Sequence, residues 1–378
     1  MAALSEAPEA VVPGASAAEL SEAPEAVVPG ASAAASKLSL HYPRWLAFVE
    51  AHPEALIFHR PDWPDMIGAT YGYERFALCV LDADGKVAGG LPVIETRGLG
   101  RHRRWISLPF SDLCPPLLSE RVEAEAFTRA LEQARRQARV QSLQVRAPLA
   151  GAERYQGSEA VIHTTTLESD ADALFQTFHR SQVQRNLRRA ERESLVVRLG
   201  SHPDDVTRSF YGLHVQTRRR LGMPVQPRRF FAAIWEQLLE RGYGWVVLVE
   251  AGSQPVAAAI FLTGPGKQTV TYKYGASDTS FWPKRPNHLL FATAIRLACE
   301  QGYRRFDWGR SDLPDSGLRE FKRGWAGVEE PLVYTTLADA EPTPEGSGRV
   351  LGAARVLLRR SPAWVCRASG ELFYRYAA

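Results

Sequence analysis

The chain has 378 residues, of which 45% are hydrophobic, enough for two ordinary domains with their own cores and too much for a single small binding module. Its 46 lysines and arginines against 42 acids leave a formal charge of only +4, yet the arginines are bunched at 101–104, 135–139, 180–192 and 218–220 and toward the C-terminus, which suits anionic partners. Four cysteines, at 79, 114, 299 and 366, with no C-x-x-C pair and no histidines at zinc-finger spacing, exclude a disulfide framework, a structural zinc site and any other evident metal site, and fit a reducing compartment.

The chain opens on a tandem duplication, L-S-E-A-P-E-A-V-V-P-G-A-S-A-A from Leu4 and again from Leu20. Its Ala, Pro, Ser, Glu and Gly content lacks bulky side chains for a core, so residues 1–38 read as a disordered leader. No basic region with a hydrophobic core follows the start, and no apolar run reaches the about eighteen residues of a membrane span, so a cytoplasmic protein is expected. Structure is expected from Tyr42, with P-R-W-L-A-F-V-E-A-H and P-D-W-P-D-M-I-G-A-T-Y-G as two helices entered through proline. Arg75–Val80 and Val87–Ile94 form a β pair around D-A-D-G, and Trp105–Leu108 adds a strand. A proline-bounded loop, P-F-S-D-L-C-P-P-L-L, precedes a helix over Glu123–Gln141 and a strand over Ser142–Arg146.

H-T-T-T-L at 163–167 begins a second pass through similar elements. Ala171–Glu193 is a long basic helical segment, Phe210–Leu221 and Arg228–Glu240 are helices, and Trp245–Glu250 with Pro255–Thr263 makes a hairpin across A-G-S-Q. Then come a strand over Gln268–Tyr274, a helix over Asn287–Gln301 and a short strand over Arg304–Trp308. The predicted division is a first domain at 39–160, a second at 161–340, and a linker with a basic amphipathic tail at 341–378. Arginines in that tail alternate with Leu, Val, Trp, Phe and Tyr, a pattern for docking at an anionic membrane or for packing back on the second domain.

The densest functional signal runs from Tyr272 to Lys322, where Y-K-Y-G-A-S-D, F-D-W-G-R-S-D and L-R-E-F-K-R-G-W place polar and aromatic groups at element ends. Asp307, Arg310, Ser311, Asp312 and Lys322 would surround one edge of a cleft; alternatively, Asp307 caps a loop, Arg310 pairs with Asp312 and Lys322 lies on a solvated helix. Tyr272 and Tyr274, two apart on a strand, are expected on the same face. Cys114 follows a polar turn with no histidine to pair with it. His214 and His288 read as structural.

Taken together, H-P-E-A-x-I-F-H-x-P-x-W, G-G-L-P-V, S-L-P-F-S-D, L-H-V-Q-T-R-R-R-L-G-M-P, Y-K-Y-G-A-S-D, N-H-L-L-F, F-D-W-G-R-S and G-L-R-E-F-K-R-G-W resemble the FemAB-related (BioF2-like) proteins of the GNAT superfamily, from Tyr42 to about Leu337. The branch most similar is the one associated with exopolysaccharide synthesis. The resemblance implies an α/β (α+β) fold of tandem GNAT-like domains, each a mixed sheet flanked by helices. It also implies an enzyme that moves an aminoacyl or acyl group onto an amine of a peptidoglycan or polysaccharide precursor. Two departures bear on the donor: no long coiled-coil hairpin is inserted in the second domain, and the R/Q-x-x-G-x-G/A coenzyme A loop is missing. Aminoacyl-tRNA and acyl-CoA therefore both stand as donors, with no tightly bound cofactor.

Amide formation needs a neutral amine, a placed carbonyl and a stabilised oxyanion. Asp312, past its turn, is the preferred proton acceptor, with Asp307 the alternative; Arg310 and Lys322 are the cations, and Tyr272 and Tyr274 orient a carbonyl or stack on a sugar. Ser111 and Asp112 form a loop over the acceptor, Trp63 an aromatic wall, Thr217 and Arg218 an anion contact, and Asn287 a polar group at a helix start. The non-enzymatic alternative is an RNA-binding or scaffold protein whose basic helix at 185–192 contacts phosphates.

Overall fold

The computed structural model describes residues 34–97, 102–152, 156–325, 327–340 and 356–373. Residues 1–33 of the leader predicted at 1–38, and residues 341–355 of the predicted linker and tail, lie outside them. Chain order begins with strand β1 (Ser36–Leu38), helices α1 (Pro43–Ala51) and α2 (Asp62–Tyr71), β2 (Glu74–Leu81), β3 (Val87–Arg97), β4 (Arg103–Ser107), β5 (Leu117–Leu118), α3 (Ala124–Gln137), β6 (Ser142–Val145) and β7 (Gln156–Gly157). The second half carries β8 (Ala160–Thr166), α4 (Ala171–Thr177), α5 (Arg185–Ala190), β9 (Val196–Leu199), α6 (Tyr211–Leu221), α7 (Arg228–Ile234), β10 (Gly244–Ala251), β11 (Gln254–Thr263) and β12 (Thr269–Ser277). It continues with α8 (Pro286–Glu300), β13 (Arg305–Asp312), α9 (Ser316–Trp325), β14 (Val328–Pro331), β15 (Tyr334–Ala338) and α10 (Ala363–Phe373).

Two mixed sheets result, each flanked by helices. The first runs β1-β2-β3-β4-β6-β15-β7 with β5 on β3, the second β14-β8-β13-β12-β11-β10-β9. Each contains one parallel neighbour pair joined through a helix, β4 to β6 through α3 and β12 to β13 through α8; the other pairings are antiparallel. That shared arrangement is the physical content of the tandem reading. Two details differ from the sequence expectation. Ser36–Leu38, inside the predicted leader, forms a strand that pairs antiparallel with Ala77–Cys79 at a sheet edge; three residues are too few to show strand alternation. Tyr334–Ala338, at the end of the predicted second domain, returns to the first sheet and pairs with β6 and β7.

The long basic segment expected at 171–193 is not one helix. It breaks at Phe178, whose extended backbone lets its ring turn inward against Phe175 and Trp325. The Asp170 carboxylate caps α4 by accepting from Ala173 N–H. Burial of aromatic faces overrides helix propensity here.

Among the described residues the three largest of five apolar cores hold the layers. One lies inside the first half, around Trp105, Phe127 and Leu131; a second lies between α8 and the second sheet, around Phe291, Trp308 and Trp325; the third joins the halves, setting Trp63, Met66 and Leu108 against Phe230, Phe231 and Ile260. Trp325, 1% exposed, touches the rings of Phe175, Phe178, His288, Phe291, Trp308 and Phe321. Trp325→Ala is expected to cost about 3–5 kcal/mol, read as a lowered denaturant midpoint; an unchanged midpoint would show that this core is not what ties α9 to the sheet.

Candidate active site

The parallel ladder of β12 and β13 pairs only Thr269–Thr271 with Arg305–Asp307. Beyond that point both strands carry β-bulges. On β12 the register to β11 steps from Phe261↔Tyr272 to Ile260↔Tyr274, leaving Lys273 as the extra residue. On β13 the register to β8 steps from Asp307↔Thr164 to Arg310↔Ile162, setting Trp308 and Gly309 against one residue.

The first bulge corrects one expectation. Tyr272 and Tyr274 lie on opposite faces, because an inserted residue shifts the side-chain alternation: Tyr272 packs with Phe261 and Phe291, Tyr274 with Phe230 and Phe231. Lys273, which the sequence reading did not single out, turns toward the first half. Its side chain is 4% exposed, with the ammonium 5.5 Å from the Phe58 ring centre, 5.7 Å from Trp63 and 5.3 Å from Tyr274. Trp63, fully buried, is thus a wall around a lysine.

At the second bulge the peptide groups of Gly309 and Arg310 are held on every side. Gly309 N–H donates to Asp307 Oδ1 at 2.8 Å, Arg310 N–H donates to the Asp112 carboxylate, and Lys322 Nζ donates to the carbonyls of Gly309 and Arg310 at 2.9 Å each. Lys273 Nζ stands 3.6 Å from Asp112 Oδ2. Gly309 has φ +66°, and a β-carbon there would sit 3.0 Å from Asp112 Oδ2 and 3.1 Å from the Tyr272 carbonyl oxygen, so only glycine fits. Two aspartates and two lysines therefore meet where the halves join.

Their titration reflects that enclosure. Burial and the neighbouring Asp112 raise Asp307 to about 6, against the pull of Gly309 N–H and the lysines. Burial opposes charge on Asp112 too, but Lys273 and Lys322 outweigh it and hold the group below the usual carboxylate range. Burial lowers Lys322 to about 8, with Asp112 and Asp307 resisting.

Lys322 is also the link to a cleft of about 550 Å³ lined by β11, β12, α6, α8 and α9. Tyr272, Leu290, Phe291 and Phe321 form its apolar walls, while Arg220, Trp282 and Arg285 stand at its lip beside the start of α8. A polar seam crosses the lip: Thr217 Oγ1 accepts from Ser277 N–H at 3.4 Å, and Ser277 Oγ accepts from Trp282 Nε1 at 2.9 Å and from Asn287 Nδ2 at 3.4 Å. The Arg220 guanidinium lies 5.1 Å from the Trp282 ring centre, and Arg285 Nε is buried with no hydrogen-bond partner.

The predicted residues thus divide. Lys322, Tyr272, Thr217 and Asn287 line the cleft; Asp307 and Asp112 form the charged cluster behind it, and Tyr274 and Trp63 wall in Lys273. Arg218 does not line the cleft, because its Nε donates to the Pro224 carbonyl at 2.9 Å; Arg220, two residues on, takes the lip. Ser111 is buried and donates to the Leu108 carbonyl, so it belongs to its own loop. Arg310 and Asp312 pair with each other at 2.7 Å outside the cleft. Ser311 is buried. Arg220, Lys273 and Arg285 were missed: Arg220 was one of a run, and the other two depend on a bulge and on a left-handed residue.

Cys114 is buried, and does have a histidine nearby, His59 Nε2 at 3.7 Å. That nitrogen donates to the Pro115 carbonyl at 2.8 Å while Nδ1 accepts from Leu56 N–H, so the imidazole has no free lone pair for the thiol. Burial pushes the thiol up and lowers His59 to about 4. Burial likewise holds His214 near 3, paired with Gln226, and His288 near 4, on the Gln182 carbonyl. Among the described residues no cluster of three His, Cys, Asp or Glu is arranged to hold a metal.

Residues 177–323 match the family model described as an acetyltransferase (GNAT) domain. No curated protein matches the chain in sequence. Among solved structures, FemX superposes with a TM-score of 0.62 at 16% identity, over 80% of this chain and 97% of its own. The C-terminal domain of a putative lysylphosphatidylglycerol synthetase from Agrobacterium fabrum gives 0.51 at 13% identity, over 83% and 94%. L-PGS from Bacillus licheniformis gives 0.50 at 13% identity, over 85% and 97%. The fold is GNAT-like, with two mixed sheets flanked by helices.

Asp307 binds its proton more tightly folded than unfolded, so its burial costs stability increasingly from about pH 4 and fully above about pH 6. Asp307→Asn keeps the acceptor for Gly309 N–H and removes that cost. Urea titrations should show a gain of roughly 1–3 kcal/mol at pH 7.5 that vanishes toward pH 3.5; a loss at pH 7.5 would mean that the carboxylate is held by its lysines more than it is penalised by burial.

Proposed function

We propose that the protein is an N-acyltransferase that forms an amide by moving an aminoacyl group from aminoacyl-tRNA to an amine of a cell-envelope or polysaccharide precursor. The observation that carries the reading is the cleft between β12, α8 and α9, with arginines at its lip and one buried ammonium, Lys322, reaching it from a charged cluster. The acyl chain would occupy the apolar interior, while Arg220 and Arg285 meet donor phosphate beside the first turn of α8.

Attack of the amine on the donor carbonyl puts negative charge on oxygen. Lys322, fixed by two carbonyls and kept cationic by Asp112 and Asp307, would stabilise that charge with little reorganisation. The proton lost by the amine requires an ionised carboxylate. Asp112, which is held ionised and whose side chain is 25% exposed, would take it through an intervening water, since it stands behind the cleft; Asp307 is buried, and Asp312 is engaged by Arg310. Tetrahedral collapse then breaks the ester C–O bond, the departing ribose oxygen takes the proton held by Asp112 and leaves as the tRNA hydroxyl, and the amide remains.

The tRNA donor is favoured over a thioester by a ridge on the segment before β9. Arg180, Arg185, Arg188, Arg189 and Arg192 are all exposed, and α5 packs on α8 at the cleft. Lys284 at the lip pairs with Glu193 at the end of that ridge, 3.7 Å apart. A coenzyme A donor has no use for so long a row of cations, whereas an RNA backbone does. The acyl-CoA reading draws on the apolar interior of the cleft and on the matched acetyltransferase domain. A place in exopolysaccharide synthesis, a location in the cytoplasm and the choice of acceptor belong to this proposal.

Purified protein given labelled aminoacyl-tRNA, or labelled acetyl-CoA, with amine-bearing envelope extract should transfer label from the tRNA. Arg188→Ala with Arg189→Ala should raise the KM for tRNA about tenfold at physiological salt, less at low salt. Transfer from acetyl-CoA alone, unaffected by those arginines, would replace the donor. Lys322→Met should lower kcat about 10²–10³-fold. It should also abolish the fall in rate expected as pH rises through about 8, where the ammonium loses its proton; a variant retaining that fall would remove Lys322 from the role.

A further inference from the structure

The segment 356–373 is not used by the chemistry above, and its two sides differ. Leu358, Ala363 and Cys366 pack on the core that joins the halves, and α10 rests on α6. A β-carbon on Gly370 would lie 1.6 Å from the Val225 carbonyl oxygen, so α10 meets backbone there. The spacing of Ala363, Cys366 and Gly370 makes one stripe of the helix its inner face. Cys366 Sγ also reaches the Leu358 carbonyl at 3.6 Å, tying the helix to the preceding turn.

The outer side is apolar and basic together. Leu357 and Trp364 are each 68% exposed and Val356 is 51% exposed, on either side of the turn at Ser361 and Pro362. Arg359, Arg360 and Arg367 are exposed among them, and no acidic residue occurs between Val356 and Gly370. Arg219, exposed on α6 and close enough to act on Cys366, extends the basic surface. A tryptophan with bulky aliphatic neighbours gains by leaving water, while arginines beside it gain from negative charge. A second copy of the chain would bring like charges together, and RNA would leave the aliphatic side chains in water.

We propose that this surface docks the protein peripherally on an anionic lipid bilayer, with Trp364, Leu357 and Val356 entering the headgroup boundary and Arg359, Arg360 and Arg367 meeting lipid phosphates. Among the described residues no helix is long and apolar enough to cross a membrane, and α10 would lie in the interface plane. Because α6 runs from beneath α10 to Thr217 and Arg220 at the cleft lip, docking holds that lip near the bilayer. The inference stands independently of the donor and of the acyl transfer itself.

The full chain should sediment with vesicles of equimolar phosphatidylglycerol and phosphatidylcholine, much less with phosphatidylcholine alone, and less as salt rises. Arg359→Ala with Arg360→Ala should weaken partitioning about fivefold for each arginine removed. Trp364→Glu with Leu357→Glu, both at exposed positions, should weaken it at least about tenfold with an unchanged circular dichroism spectrum. No sedimentation with the anionic vesicles overturns the proposal, as does undiminished sedimentation of both double variants. A concentration-dependent dimer that Trp364→Glu dissolves, with no vesicle binding, overturns it in favour of a second copy.

Discussion

The feature on which the site depends is the parting of two parallel strands. A parallel ladder left to itself would continue, since every unpaired N–H and C=O in a buried sheet is costly. Here the peptide groups released at the β13 bulge are taken up by side chains: Asp307 and Asp112 accept from the N–H groups, and Lys322 donates to the carbonyls. The strands can separate because these charges stand in for the missing ladder. Lys322 carries the cluster to the wall of the cleft, and the cluster is held by residues from both halves of the chain.

That substitution is expensive. Asp307 is raised and Lys322 lowered because burial penalises the charged form of each where it lies. Elsewhere the chain uses buried charge differently. Glu95 accepts from Arg103 and from Trp105 Nε1, and Arg135 is gripped by Glu132 and Asp339. Those groups are pushed further toward their charged forms and serve packing alone. The contrast separates an ion pair that closes a core from a cluster whose charges are penalised by burial.

Much of the frame was legible. The hairpin of β10 and β11 follows from alternation around a turn, and α8 from apolar residues at helical spacing. Lys322 was legible as a candidate because it stands in an aromatic-rich run that had to pack. Tyr272 and Tyr274 were misplaced because a bulge leaves no mark in a strand pattern: one inserted residue looks like an ordinary member of the run. Asp312 was preferred over Asp307 because it follows a turn, yet solvent access let it pair with Arg310, while the buried Asp307 became the perturbed group. Asp112 was legible only as a polar residue in a loop, since its partners lie about two hundred residues away, at a separation no local pattern reports.

Sequence alone determined the two passes of mixed strand and helix, the absence of metal-ligand spacing, the basic segment before β9 and the polar stretch from Tyr272 to Lys322. These depend on side-chain period and composition, which are local. Tertiary structure decided which of those polar groups share a site. It set Gly309 where no side chain fits, turned Lys273 into an aromatic enclosure, gave the cleft lip to Arg220 instead of Arg218, and joined Tyr334–Ala338 to the first sheet. Each of those outcomes depends on backbone register between distant strands, and register is fixed only when the two sheets close around their common core.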